Sequence, residues 1–173
     1  MRKSLTVHDL CENYLAVTAL GLVMGKGGKP KKASTRNVDS GRIERHIEPL
    51  LGRKLVRDLT QADVSRFIRD VSAGKTATVE KTENKRGKAV VEGGPGAAAR
   101  TAGLLGGILS FAVSEGVIPL NPARGVKRPS DARRKRRLSP TEYRQLGAAL
   151  TGAEADRETE QGLNAIWLLA HTG

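Results

Sequence analysis

Apolar residues recur at helical spacing in four segments of the first 130 residues. The clearest stripe is Val64, Phe67, Ile68 and Val71, which follow the i, i+3, i+4, i+7 pattern of an amphipathic helix. The other stripes occupy about residues 6–23, about 34–51 and about 97–115. The pattern predicts a mainly α fold in which four helices enclose one small core.

Polar residues at the predicted helix starts are of the types that cap helices. Thr6–Asp9 and Thr60–Asp63 each place a threonine before the stripe and an acid three residues later, which is the pattern of a capping box. Ser34 or Thr35 is the predicted N-cap of the second helix. Gly116 is predicted to end the fourth helix, because glycine is favoured just past a helix C-terminus.

Between the third and fourth helices the pattern changes from helical to alternating. Residues 76–81 alternate in polarity, and Lys85-Arg86-Gly87 provides a turn before the short apolar run Ala89–Val91. We therefore predict a β-hairpin insertion within residues 75–96, with a basic tip. A mobile loop is the alternative interpretation.

The fourth helix contains three glycines, Gly103, Gly106 and Gly107. Each costs roughly 1 kcal/mol in a helix relative to alanine. Close approach of another helix or of DNA to that side of the helix would explain them. Poor optimisation of packing is the alternative.

A basic segment follows the fourth helix. Asn121-Pro122 predicts one short turn over Ala123–Val126, since asparagine can cap and proline suits a first helical position. From Arg124 to Arg137 there are eight basic residues against one acid, with no apolar periodicity. That composition is typical of an exposed, extended connector.

A second unit is predicted after this connector. Ser139-Pro140-Thr141-Glu142 combines an N-cap, a proline at the first position and a capping glutamate, so it predicts a new helix. Leu163, Ile166, Trp167 and Ala170 predict another. The predicted organisation is a helical domain over 1–129, a basic linker over 130–137 and the start of another domain over 138–173.

The charge of the chain points to a polyanionic partner. The net charge is +12, and the excess is concentrated in residues 25–36, 75–100 and 124–137. Aromatic residues make up only 3% of the chain, which disfavours single-strand binding by base stacking. Double-stranded DNA is the partner that remains, and a basic RNA-associated or structural protein is the rival interpretation.

Other classes of function receive little support. The single cysteine, Cys11, excludes an internal disulfide and fits a cytoplasmic protein, and no Cys/His cluster has zinc spacing. No apolar run approaches the roughly 18 residues of a membrane span. We expect no cofactor, no metal, no membrane and no small-molecule substrate.

The order of these elements resembles that of the tyrosine recombinase, or phage integrase, family. The residues that carry the resemblance are FAVSEGVIPLNPARGVKRP at the end of a helix, the basic linker, the opening LSPTEYRQL and the ending LLAHTG. The resemblance implies a SAM-like helical core-binding domain that presses against duplex DNA. It also implies that 138–173 forms the first two helices of a truncated catalytic domain, and that other copies of the full-length protein assemble on DNA.

The resemblance also implies an activity for the whole protein, site-specific breaking and rejoining of DNA during integration and recombination. In that family a tyrosine attacks the scissile phosphate, and arginine, lysine and histidine or tryptophan side chains stabilise its charge without metal or ATP. No residue of this sequence matches those positions, so the chain alone is expected to bind DNA without cutting it. A stand-alone DNA-binding regulator without catalytic activity is the alternative.

The predicted DNA contacts lie at helix starts, at the hairpin tip and in the linker, where hydroxyls, cations and free backbone N–H groups suit phosphates. Arg36 and Arg100 are the better candidates for contacts to bases, because they lie near helix starts. The full set is Thr35, Arg36, Arg42, Lys85, Arg86, Arg100, Thr101, Arg133, Arg134, Lys135, Arg136 and Arg137.

Overall fold

The computed structural model describes residues 5–25, 27–81, 87–130, 136–155 and 159–172. The chain divides into two compact units, Met1–Asp131 and Ala132–Gly173. The described residues are mostly helical and include one two-stranded antiparallel sheet, so the predicted mainly α fold with a hairpin insertion is confirmed.

The described residues of the first unit form five helices, two short irregular helical turns and the hairpin. In chain order the elements are α1 (Val7–Ala19), α2 (Ala33–Arg42), a π-helical turn (Ile43–Ile47), α3 (Glu48–Leu51), a 3₁₀ turn (Val56–Asp58), α4 (Gln61–Ser72), β1 (Thr78–Lys81), β2 (Lys88–Val91) and α5 (Gly94–Ser114). One cluster of buried apolar residues joins α1, the π turn, α4 and α5.

The helices α1 and α4 begin at the predicted capping boxes. The Thr6 hydroxyl accepts a hydrogen bond from the Asp9 backbone N–H, and the Asp9 carboxylate accepts one from the Thr6 N–H. Thr60 and Asp63 form the same reciprocal pair at the start of α4. Each pair satisfies backbone donors that the helix itself leaves free, which fixes where the helix starts.

The predicted cap of the second helix is wrong. The helix begins at Ala33 with Lys32 as N-cap, which provides no side-chain hydrogen bond, and Thr35 lies inside the first turn. The α2, π and α3 segments are contiguous, and in the π turn the Glu48 N–H donates to the Ile43 carbonyl. Pro49 favours this wider turn because it has no N–H to donate to the Arg45 carbonyl.

The hairpin is present. Residues 78–81 and 88–91 form paired strands and not the loop of the alternative interpretation. Thr78 pairs with Val91 and Lys81 with Lys88 in an antiparallel register. Its predicted basic tip, Lys85 and Arg86, lies outside the described residues. Gly74 precedes β1 and Gly93 follows β2. The backbones of these two glycines lie close together where the hairpin joins the core.

The helix α5 is the central element of the first unit. Eight of its 21 residues are buried, and Ala98, Leu105, Ile108, Leu109 and Ala112 are at most 1% exposed. No uninterrupted apolar run reaches the length of a membrane span, but α5, with Arg100 inside it, is long and apolar enough for one by length and composition. Its packing in the core cluster accounts for that composition.

Of the three glycines in the middle of α5, Gly103 and Gly106 are covered by the chain itself, whereas Gly107 has open space around it. A methyl group on Gly103 would meet the Arg128 Nη1 at 3.0 Å, and one on Gly106 would meet the Ala123 Cβ at 3.7 Å. The Asn121 Nδ2 donates to the Gly106 carbonyl at 2.8 Å. The predicted close approach is therefore correct for these two glycines, but the neighbour is the turn at 121–128 rather than a helix or DNA.

The second unit contains α6 (Pro140–Ala155) and α7 (Glu160–Thr172). Ser139 and Glu142 form the predicted capping box, with the Ser139 N–H donating to the Glu142 Oε2 at 2.8 Å. Leu150 of α6 and Leu163 of α7 are buried, whereas Ile166, Leu168 and Leu169 are exposed. Of the predicted stripe on α7, Leu163 is buried and Ile166 is exposed, while Trp167 and Ala170 are half-buried.

Candidate nucleic-acid interface

A cleft of about 480 Å³ lies between the α2–π segment and the base of the hairpin. One wall is polar and cationic, with Asn37, Arg42, Arg45 and His46. The opposite wall is formed by residues 90–93 and Ala97, which come from β2 and the start of α5. The cleft brings cations from one helical surface together with the first turn of another helix.

Arg45 occupies an unusual position in this cleft. Its Nε is buried and has no hydrogen-bond partner. Its Nη1 lies 3.0 Å from the point where a side chain on Gly41 would place its Cβ, so the guanidinium lies against the backbone of α2. Arg45 is not among the contacts predicted from the sequence; its signal is a glycine four residues earlier on the same helical face.

Arg42 is held by a buried carboxylate. Asp39 is 5% exposed, its Oδ1 lies 4.0 Å from the Arg42 Nη1, and its Oδ2 accepts a hydrogen bond from the Lys31 Nζ at 2.7 Å. The Lys31 Nζ also donates to the Tyr14 hydroxyl at 2.6 Å. Burial lowers the pKa of Lys31, but the hydrogen bonds to Asp39 and Tyr14 outweigh it and leave the pKa raised.

This network connects the basic loop before α2 to the core. Tyr14 is 2% exposed and packs edge-on against Phe111 with ring centroids 5.7 Å apart. Tyr14 therefore has the structural role that its place on the α1 stripe indicates. Through Lys31 it fixes the end of the loop, and with it the start of α2.

His46 lies in the polar wall of the cleft. It is 6% exposed, and its Nδ1 lies 2.6 Å from the Thr76 Oγ1, in the turn that leads to β1. Burial lowers the pKa of His46, and the positive charges of Arg45 and Arg42 lower it further. The imidazole is thus held neutral beneath two cations.

The predicted DNA contacts differ in how exposed their side chains are. Thr35 is exposed and Arg36 half-buried on α2, Arg42 is half-buried in the cleft, and Arg100 is exposed on the second turn of α5. The structure thus presents these four side chains on the first unit, with Arg42 in the cleft.

Thr101 requires a correction. It is 1% exposed, and its hydroxyl has no hydrogen-bond partner. Ala98, Thr101, Ala102 and Leu105 follow the i, i+3, i+4, i+7 spacing and together form the buried face of α5. The side chain therefore faces the core and not a DNA phosphate. Extending the apolar stripe by one turn would have revealed this from the sequence.

The linker cations are described only in part. Arg136 and Arg137 are exposed, and Arg136 forms an ion pair with Glu142 in the capping box of α6. Hydrogen bonds from the Ser139 backbone and hydroxyl, more than from Arg136, lower the pKa of Glu142. Lys85, Arg86, Arg133, Arg134 and Lys135 lie outside the described residues.

No metal centre is visible in the part of the chain that the structure describes. No group of three His, Cys, Asp or Glu side chains there is arranged to hold a metal ion. The chemistry that the described surface offers is hydrogen bonding and charge for an anion. This is the chemistry of DNA backbone recognition.

The fold is similar to that of lambda integrase in two crystal structures. The chain is similar to the crystal structure of a lambda integrase dimer bound to a COC′ core site, with a TM-score of 0.58 and 19% identity. That match covers 88% of this chain and 35% of the integrase chain. A second crystal structure, of lambda integrase 75–356 as a dimer on a COC′ core site, gives a TM-score of 0.59 and 18% identity.

The second match covers 87% of this chain and 42% of the integrase chain, so this chain spans less than half the length of either lambda integrase. No protein-family model and no curated protein matches it significantly. At this level of identity the comparison establishes the fold, which is that of lambda integrase over the matched part.

Proposed function

We propose that this chain is the DNA-binding part of a site-specific tyrosine recombinase of the phage integrase type, acting in DNA integration and recombination. The observation that supports the proposal most is the likeness of fold, over 88% of the chain, to lambda integrase bound to its core site. The net charge of +12 supports it independently, because a polyanionic partner is needed to balance such an excess.

In this proposal residues 1–129 form the core-binding domain, 130–137 pass beside the duplex and 138–173 begin the catalytic domain. The cleft cations, Arg36 and Arg100 contact one side of the duplex, and the linker arginines contact the backbone where the chain crosses it. Breaking and rejoining of DNA belong to the whole recombinase, and no residue of this chain is assigned to that chemistry.

Most of these contacts are to phosphates, so binding depends strongly on salt. If about six phosphates are neutralised, the affinity for duplex DNA falls on the order of a thousandfold between about 50 and 200 mM salt. Fluorescence anisotropy with a labelled duplex measures this directly. A salt-insensitive complex, or tighter binding to structured RNA than to duplex DNA, would contradict the proposal.

Arg36 and Arg100 test for sequence recognition. Replacing a base-contacting arginine by methionine is expected to reduce the preference for a selected site by about 1–3 kcal/mol. Loss of a phosphate contact instead weakens binding to all duplexes alike. A pool of random duplexes, enriched on the purified chain and then titrated with each variant, distinguishes the two roles.

The alternative is a stand-alone DNA-binding regulator, which would bind DNA in the same way. Reading the gene beyond codon 173 distinguishes the two. The recombinase proposal expects an arginine two residues after Gly173, completing a Thr-Gly-x-Arg pattern. A stop codon there would favour the regulator.

A further inference from the structure

The Nε of Arg45 lacks a hydrogen-bond acceptor. Its Nε is buried without a partner, in a cleft that also contains the Arg42 guanidinium and the Asn37 amide. A buried N–H that has no acceptor loses its hydration and gains nothing in return. Arginine has donors only, so the missing group must supply oxygen lone pairs.

The other charges around the cleft favour an anion. Glu92 is the carboxylate among the lining residues, and it is exposed to solvent. Asp39 is engaged by Lys31 and Arg42 beneath the helix. Two guanidinium groups therefore line the cleft against one solvated acid, and the nearby His46 imidazole is neutral.

Gly41 makes room for this arrangement. Because it has no side chain, the guanidinium of Arg45 lies flat against α2, with Nη1 3.0 Å from the Cβ position. The planar fork is thereby held with its long stem along the helix instead of extending freely into solvent. A fixed guanidinium loses less conformational entropy when it binds an oxyanion.

We propose that Arg45 binds a phosphate group in this cleft, with Arg42 and Asn37 beside it, and that the phosphate is a diester of the duplex DNA backbone. The first part follows from the cleft itself, whereas the identity of the phosphate rests on the proposed function. Arginine suits this role because its fork matches two phosphate oxygens at once. The contact fixes the position of α2 on the backbone without reading sequence.

Three variants of the full chain test the proposal by anisotropy with duplex DNA. Arg45→Met is expected to weaken binding by about 10- to 100-fold, the effect of losing a charge-assisted hydrogen bond, and to lower the salt slope by about one. Arg45→Lys keeps the charge and recovers part of the affinity. Arg66→Met removes an exposed arginine of α4 that does not line the cleft, and is expected to change affinity less than about threefold.

Gly41→Ala separates binding from folding. In a helix this change normally stabilises, and the new methyl group would meet only the end of the Arg45 side chain. The melting temperature is therefore expected to stay level or rise while DNA affinity falls several-fold. Unchanged affinity in both Gly41→Ala and Arg45→Met would overturn the proposal, as would an equal loss in Arg66→Met.

A second readout does not depend on DNA. Because Arg45 and Arg42 contribute to the low pKa of His46, a bound phosphate should raise it. The His46 ring resonances are followed by NMR during a pH titration, with and without inorganic phosphate or duplex. A rise in the wild type that is absent in Arg45→Met supports the site.

The two readouts distinguish the possible failures. If phosphate shifts the His46 titration but the wild type does not bind duplex DNA, the cleft binds phosphate and the proposed function is wrong. If duplex binds and neither ligand alters His46 or depends on Arg45, the proposed function survives and the cleft proposal is refuted. A change in His46 that persists in Arg45→Met would also refute it.

Discussion

Replacing Gly93 with alanine tests how the hairpin is joined to the core. Gly93 has φ +81° and ψ −134°, a conformation open almost only to glycine, and it serves as the N-cap of α5. A Cβ there would lie 2.6 Å from the Val71 carbonyl oxygen and 3.0 Å from the Gly74 Cα. Both neighbours are backbone atoms, so no side chain can rotate away.

The magnitude follows from these two terms. Holding alanine in this backbone region costs about 1–3 kcal/mol. Displacing packed backbone to relieve the contact adds about 1–3 kcal/mol. A loss of about 2–6 kcal/mol from a unit of this size lowers its melting temperature by about 6–24 °C.

Two other glycines provide matched controls. Gly94 also has a positive φ, +88°, but a Cβ there meets nothing within 4 Å, so Gly94→Ala is expected to lose only the conformational part, about 1–3 kcal/mol. Gly107 has an ordinary helical backbone and open space around it, so Gly107→Ala is expected to gain about 1 kcal/mol.

The assay must report on the first unit alone. The only tryptophan, Trp167, lies in the second unit, so its fluorescence is unsuitable. The reactivity of the buried Cys11 during heating follows the first unit, whereas far-UV circular dichroism reports on the helices of both units. The reasoning is refuted if Gly93→Ala is as stable as Gly94→Ala, or if Gly107→Ala is the most harmful of the three.

Three further predictions concern ionisable side chains. Burial, reinforced by the charge of Glu48, raises the pKa of Cys11 to about 12, so an Ellman-type reagent should label it only after unfolding, and rapid labelling of the native chain would contradict this. Hydrogen bonds from Lys54 and then Thr60 lower the pKa of Asp63 from 3.8 to about 2, so this carboxylate stabilises the fold by about 2 kcal/mol above pH 4, and the stabilisation is lost as the pH falls towards 2. Urea unfolding of Asp63→Asn at pH 7 should show a loss of this size. A variant as stable as the wild type would disprove the prediction. The folded pKa of His46 lies below 6.5, so its stabilising effect is present above pH 6.5 and lost as the pH falls through the folded pKa; His46→Gln should remove that part of the pH dependence of unfolding, and an unchanged slope would count against it.

Local signals in the sequence were sufficient for most elements. The boxes at Thr6 and Thr60 fixed the starts of α1 and α4, and alternation predicted the hairpin. These features depend on residues within a few positions of one another, so periodicity and capping chemistry identify them. The boundaries of the predicted domains and their roles in recombination stay predictions.

The start of the second helix could not be predicted from neighbouring residues alone. Ser34 and Thr35 are favourable caps, but the N-cap of α2 is Lys32, two to three residues earlier, because Lys31 is fixed by Tyr14 and Asp39. Likewise the glycines of α5 suggested a close neighbour without identifying it. The turn at 121–128 fills that position through Ala123, Asn121 and Arg128.

The sequence by itself determined the helical class of this protein, its hairpin and its strong positive charge, because apolar period, caps and composition are properties of neighbouring residues. Only the tertiary structure decided which cations share a surface. Thr101 faces the core while Arg100, one residue and about 100° of helical rotation away, faces solvent. Arg45 belongs to the candidate site because the base of the hairpin and the start of α5 form the opposite wall of its cleft. These segments lie about 50 residues from Arg45 in the sequence.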